Sequence, residues 1–241
     1  MQTYRIADVS FSLDCRDKRT EQFLKDYAIS GESSPAFSFR ASDADLIAEG
    51  MKSDKNAWYF ESLAVYRKLL TYLMSQGNAM VLHASAIMVD GKAYLFTAPS
   101  GTGKSTHARY LTEYLGDRAV VINDDKPIIK FDGGKFFVYG TPWDGKHRLS
   151  ANLRAPLGAI CILNRGKENI IEKGVATEKG ISVLLGQTLR FSDNLELTDN
   201  TLKLVEKLIE NVELYSLWCT NSVDSAKTSY EKMIKGRENE D

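Results

Sequence analysis

The sequence has little that would take it out of an ordinary reducing, soluble setting. Its three cysteines, Cys15, Cys161 and Cys219, are widely separated in 241 residues. Odd in number and without a C-x-x-C pair, they exclude a secreted disulfide framework and point to a reducing cytoplasm. No charge of either sign prevails, with 31 Lys and Arg against 32 Asp and Glu. No global field therefore draws the chain to nucleic acid or to an anionic membrane, and any phosphate recognition must be local. The opening MQTYRIADVSFSL alternates apolar and polar residues where a signal peptide or anchor would run basic and then apolar, so neither is expected. Internal repeats and long linkers are also missing, which favours one compact unit.

Apolar residues, at 43%, are enough for one large core or two small ones. Residues 4–13 alternate like a half-buried strand, and 36–40 suggest another. Residues 56–76 place apolar side chains three and four apart and stop before Gly77-Asn78, as a helix would. Residues 80–89 and 92–97 read as a hairpin closed by Asp90-Gly91, and a second hairpin turns at Asp132-Gly133-Gly134. A mixed sheet is therefore expected. Residues 157–163 read as a buried strand, 181–189 and 202–211 as helices, 213–218 as a late strand and 222–233 as a closing helix.

Residues 97–108 are TAPSGTGKSTHA. A glycine loop opening a helix presents backbone N–H groups and the positive end of the helix dipole to an anion. Ser100, Gly101, Thr102, Gly103, Lys104, Ser105 and Thr106 are the expected nucleotide-binding residues. Lys104 supplies charge to the β- and γ-phosphates, and Ser105 a hydroxyl to Mg²⁺. Ala98 stands where the usual pattern has glycine, which matters only if that position needs positive φ. A phosphate site of this kind needs carboxylates, and Asp124-Asp125 follow the apolar run AVVIN at a strand end. They equally suit a solvated turn before Lys126-Pro127. His83, on the first strand of the first hairpin, suits either an orienting or a structural role. Residues 139–154, YGTPWDGKHRLSANLR, form either a clamp on phosphate or acceptor, through Lys146, His147 and Arg154, or a solvated loop with Trp143 folded beneath it.

LHAS at His83, SGTGKST, NDD and RAPLGAICIL, in that order, resemble the carboxy-terminal kinase domain of HPr kinase/phosphorylase. More broadly they resemble the phosphoenolpyruvate-carboxykinase-like P-loop proteins, and most of all the small HPr-kinase-related proteins of peptide-modification gene clusters. The resemblance implies an α/β, mixed-sheet P-loop fold with a small β-rich N-terminal portion. The resemblance spans roughly residues 80–163; with the opening and the charged tail read from the residues themselves, the chain divides into the N-terminal portion with its helix packed on the core (1–78), a kinase core (79–236) and a disordered tail (237–241). The resemblance further implies ATP and Mg²⁺ as cofactors, Asp124 as base for the acceptor hydroxyl, Asp125 as metal partner and His83 as the residue orienting the first aspartate. Members of that family form oligomers, which makes a homo-oligomer an expectation of the resemblance alone.

The function expected is an ATP- and Mg-dependent kinase acting on a serine-type hydroxyl of a peptide, small protein or small molecule. The alternative is a nucleotide-responsive module that binds ATP without transferring phosphate. A GTPase ranks behind both, since no N-K-x-D or T-K-x-D follows the loop.

Overall fold

In the computed structural model the described residues are all but 32–33, 146–147, 192–193 and 239–241. The chain divides into two compact units, Met1–Gln76 and Gly77–Asp241, where the unbroken sequence favoured one.

In the first unit the alternating run at 4–13 is two strands, β1 (Gln2–Ile6) and β2 (Val9–Leu13), paired antiparallel. The chain reverses at Ala7 and Asp8, with φ of 50° and 62°. Such a turn usually carries Gly or Asn, so its sequence gave no hairpin signal. Helix α1 (Lys18–Leu24) follows, then the short strand β3 (Ser38–Phe39), which lies parallel to β2. Helix α2 (Asp43–Ala48) starts at a capping box between Ser42 and Asp45, a local device that contributes about 1 kcal/mol. The periodic run 56–76 forms α3 (Ala57–Ser75). It ends where Gly77 takes φ of 70°, a conformation that glycine adopts at little steric cost.

The second unit holds a nine-stranded mixed sheet. In chain order its elements are β4 (Ala79–Val81), β5 (Ala84–Val89), β6 (Lys92–Thr97), α4 (Lys104–Leu115), β7 (Ala119–Asn123), β8 (Ile128–Asp132) and β9 (Lys135–Tyr139). There follow β10 (Arg154–Arg165), β11 (Ile170–Lys173), α5 (Thr177–Gln187), α6 (Leu195–Asn211), β12 (Glu213–Cys219), α7 (Val223–Ser229) and α8 (Lys235–Glu238). The strand order is β4-β8-β9-β10-β6-β5-β7, with β12 also on β10 and β11 on β12. Both glycine-turned hairpins form, β5–β6 and β8–β9. Strand β10 lies parallel to β6 and β12 and antiparallel to β9.

Side chains alternate across this sheet, and both faces are buried. Leu95 and Ile160 pack with Leu184 of α5 and Leu204 and Leu208 of α6. Tyr94, Phe96, Cys161 and Leu163 pack with Leu111 of α4 and Ala226 of α7. Burial on two faces explains why 157–163 reads as a continuous apolar run. Strand β11 was not anticipated, because IIEK at the sheet edge carries too little apolar pattern. The last helical stretch continues from α7 through a π-turn into α8, so residues expected to open a disordered tail are helical to Glu238.

Candidate active site

The glycine loop joins β6 to α4. Ala98 is fully buried and is not among the positive-φ residues, whereas Gly101 and Gly103 have φ of 77° and 120°. The conformational demand thus falls on the two glycines that are present, and the position held by Ala98 has none. No side chain caps α4, so the donors at its start remain for a ligand. Lys104 is only 7% exposed and donates from Nζ to the Ala98 carbonyl at 2.9 Å. Burial lowers its pKa, while the nearby carboxylates of Asp125 and then Asp124 oppose that shift. Ser105 is exposed at the helix start, and Ser100 is exposed in the loop.

The run that was read as one strand, 80–89, breaks at Leu82-His83. β4 pairs with β8 and β5 with β6, so His83 sits at the break and not on a strand of the hairpin. Gln187, the last residue of α5, fixes it there. Its carbonyl accepts the His83 N–H at 2.8 Å, and its Oε1 lies 3.1 Å from Nδ1. Burial first, and then the charge of Lys104, hold the imidazole below its ordinary pKa.

Asn123 ends β7, and the strand has turned before the two aspartates. Asn123 Oδ1 accepts the N–H groups of Asp125 at 2.9 Å and Lys126 at 2.7 Å. Its Nδ2 donates to Thr141 O at 3.1 Å, Thr141 Oγ1 at 3.0 Å and Trp143 O at 3.3 Å. One buried side chain therefore shapes the aspartate turn and pins the 141–143 loop beside it. The signal was present, since Asn next to Asp at a strand end favours such a side-chain turn. Asn123 itself carries no ionisable group.

The turn gives the two carboxylates different surroundings. Asp124 is 6% exposed and accepts Ser85 Oγ at 2.5 Å. Asp125, 29% exposed at the side chain, lies 3.5 Å from His83 Nε2 and 3.7 Å from Lys126 Nζ. This corrects one expectation: His83 lies against Asp125, and Asp124 is held by Ser85. A further carboxylate, Asp144, joins them from the 139–154 segment. Burial raises its pKa and the charge of Asp124 adds to the rise, while a hydrogen bond from Ser150 opposes it. Neighbouring Gly145 packs tightly here: a Cβ on it would stand 3.1 Å from Asp124 O.

Trp143 is buried, as the folded-loop reading had it. Lys146 and His147 lie outside the described residues. Arg154 is not brought to the loop. It starts β10, roughly 25 Å along that strand from Ile162, the partner of Thr97. There it pairs with Asp132 at 3.0 Å and covers the Phe137 ring at 3.9 Å. The arginine at the loop is Arg165, at the other end of the same strand, donating from Nη2 to Gly101 O at 2.6 Å. His107 is structural, buried between Ser225 and Ser229 of α7.

The fold is α/β with a mixed sheet, and the glycine loop and the aspartate turn lie at one end of it. Among the described residues no helix is long and apolar enough to cross a membrane. No family model matches the chain, and no curated protein matches it. Among solved structures it is similar to the Hpr(Ser) kinase/phosphatase from Coxiella burnetii, at 14% identity. That match covers 53% of this chain and 90% of the other, with a TM-score of 0.31. A superposition so loose leaves the reading to the loop and its neighbours.

Proposed function

We propose that the protein is a P-loop kinase of the HPr kinase and phosphoenolpyruvate carboxykinase type. It would transfer the γ-phosphate of ATP to a serine-type hydroxyl of a peptide, small protein or small molecule. One observation carries this reading: Thr97, which leads into the glycine loop, is in register with Ala84, whose N–H donates to Asp125 O at 3.2 Å, so Lys104 on the Ala98 carbonyl and the aspartate pair share one end of the sheet.

The residues divide the labour by position. The loop and the uncapped start of α4 hold phosphate, and Lys104 exchanges the Ala98 carbonyl for phosphate oxygens. Asp125, the more exposed of the two carboxylates, is assigned to the phosphate side. Asp124 faces the 141–145 loop and serves as base for the acceptor hydroxyl.

Magnesium fits this donor set. Among the described residues no group of three or more His, Cys, Asp and Glu would hold an ion unaided. A hydroxyl and one carboxylate, Ser105 and Asp125, completed by phosphate oxygens and water, are the usual surroundings of Mg²⁺ at a nucleotide. When bound there, it neutralises charge on the transferred group. His83, held by Gln187, positions Asp125.

The test is transfer of labelled γ-phosphate, with mass spectrometry of candidate acceptors. Asp124→Asn should lower the rate at least about 100-fold, the span of general-base catalysis; an Asp124→Asn protein as fast as the wild type removes the base assignment. The nearly complete burial of Asp124 favours a second reading, a module that binds ATP and recruits a partner. That reading is supported if the wild type binds ATP, no acceptor gains phosphate from it, and partner recruitment survives Asp124→Asn.

A further inference from the structure

Strand order places the glycine loop between two unlike neighbourhoods. On one side β5 and β7 bring up the aspartates. On the other, β10 and β12 run parallel to β6, so their carboxyl ends emerge beside the loop. Crevices outside the carboxyl ends of parallel strands are where open α/β sheets take ligands. Here those ends, with the loop and the first two turns of α4, enclose a cavity of about 400 Å³.

We propose that this cavity receives the nucleoside end of the nucleotide, with Tyr110 and Asn221 against the base and Arg165 on the phosphate next to the ribose. The inference rests on the phosphate-binding role proposed for the loop and extends it to the other half of the ligand. Direction is the first argument. With the terminal phosphate facing Asp124 and Asp125, a triphosphate crossing the loop leaves its remaining end on the β10–β12 side.

Size and lining agree with that placement. Small-molecule sites begin at roughly 300 Å³. Thr106 and Tyr110 lie one turn apart on the α4 face that lines the cavity. The Tyr110 hydroxyl donates to Asn221 Oδ1 at 3.2 Å, which leaves the Asn221 amide as a donor to a base edge. The Arg109 guanidinium covers one face of the Tyr110 ring, 4.8 Å from its centroid, and the other face gives a heteroaromatic base a surface to stack on, while the Thr106 hydroxyl suits a ribose. Among the described lining residues there is no carboxylate to repel an anion, and Arg165 is the one cation. Its bond to Gly101 O places the guanidinium at the junction of loop and cavity. Phosphates alone would use Arg165 but neither Tyr110 nor Asn221.

Titration calorimetry with Mg²⁺ and either ATP or inorganic tripolyphosphate tests this on the full chain. The wild type should bind ATP at least about tenfold tighter than tripolyphosphate, the equivalent of ~1.4 kcal/mol. Tyr110→Ala and the exposed Asn221→Ala should remove most of that ratio while keeping tripolyphosphate affinity within about twofold, which also reports an intact fold. Tyr110→Phe, which keeps the ring and loses only the bond to Asn221, should fall between. Equal binding of ATP and tripolyphosphate by the wild type, or an unchanged ratio in both alanine variants, overturns the cavity assignment. If neither compound binds the wild type, the phosphate-loop reading itself is wrong and the inference falls with it.

Discussion

Ser85 and Asp124, 39 residues apart, meet in the core with the serine hydroxyl donating to the carboxylate at 2.5 Å. Ser85 lies on β5 and Asp124 just beyond β7, and the two strands pair antiparallel with a register shift between Ala86 and Ile87. Removing the hydroxyl leaves a buried charge short of a donor. Ser85→Ala should destabilise the protein by about 1–3 kcal/mol. It should also slow phosphate transfer roughly tenfold with ATP affinity unchanged, if Asp124 acts on the acceptor side. Urea unfolding and steady-state kinetics would separate the two effects.

His83 touches Asp125, the proposed metal partner, and not Asp124. His83→Gln should therefore raise the Mg²⁺ concentration needed for half-maximal transfer by about tenfold, the low end for loss of a residue that supports a metal ligand. Saturating Mg²⁺ should restore most of the rate. A Mg²⁺ titration in which the midpoint stays in place and only the maximum falls would move His83 to the acceptor side.

Ala98 needs no positive φ, and its methyl group is fully buried. Ala98→Gly, which restores the common loop pattern, should therefore bring no gain in ATP affinity. It should cost roughly 0.5–1 kcal/mol of stability through added freedom in the unfolded chain. Calorimetry of binding and thermal unfolding would show both.

Two glycines should respond in opposite ways to alanine. A Cβ on Gly140 would stand 2.7 Å from Ile122 O and closer still to Ala151 O, both rigid backbone atoms. Gly140→Ala should cost about 3 kcal/mol or more, by strain where the 139–154 segment returns to β7. Gly186 in α5 is exposed, with nothing within 4 Å of its Cβ position. Gly186→Ala should stabilise by up to about 1 kcal/mol. Denaturant midpoints of the two variants give the comparison.

Burial holds the His107 imidazole down at about 4, against an ordinary value of 6.5. Between those values the unfolded chain binds the extra proton, so stability rises with pH across the window. The contribution is complete above about 6.5 and is lost as pH falls toward 4. From pH 7 to 4 the wild type should lose about 3 kcal/mol more than His107→Gln, which cannot titrate. Parallel pH profiles of unfolding free energy would reveal the difference, and superimposable profiles would place the imidazole in water.

Much of the second unit could be read from the sequence, because its signals act over a few residues. Asp90-Gly91 and Gly133-Gly134 turn their hairpins, Gly101 and Gly103 shape the loop, and AVVIN ends at the aspartates. Turn chemistry and glycine conformation are settled locally, whatever the rest of the chain does. Strand order, register and the point where a strand breaks are decided by distant partners, and these chose the contacts of the site. The break between β4 and β5 set His83 against Asp125. The twelve-residue length of β10 carried Arg154 away from the loop and brought Arg165 to it. Asn123 also pins the 141–143 loop only because that loop folds back over β7. The sequence by itself determined a glycine loop and an acid pair at a strand end; the tertiary structure decided which residues surround them, because those neighbours come from register and packing between segments far apart in the chain.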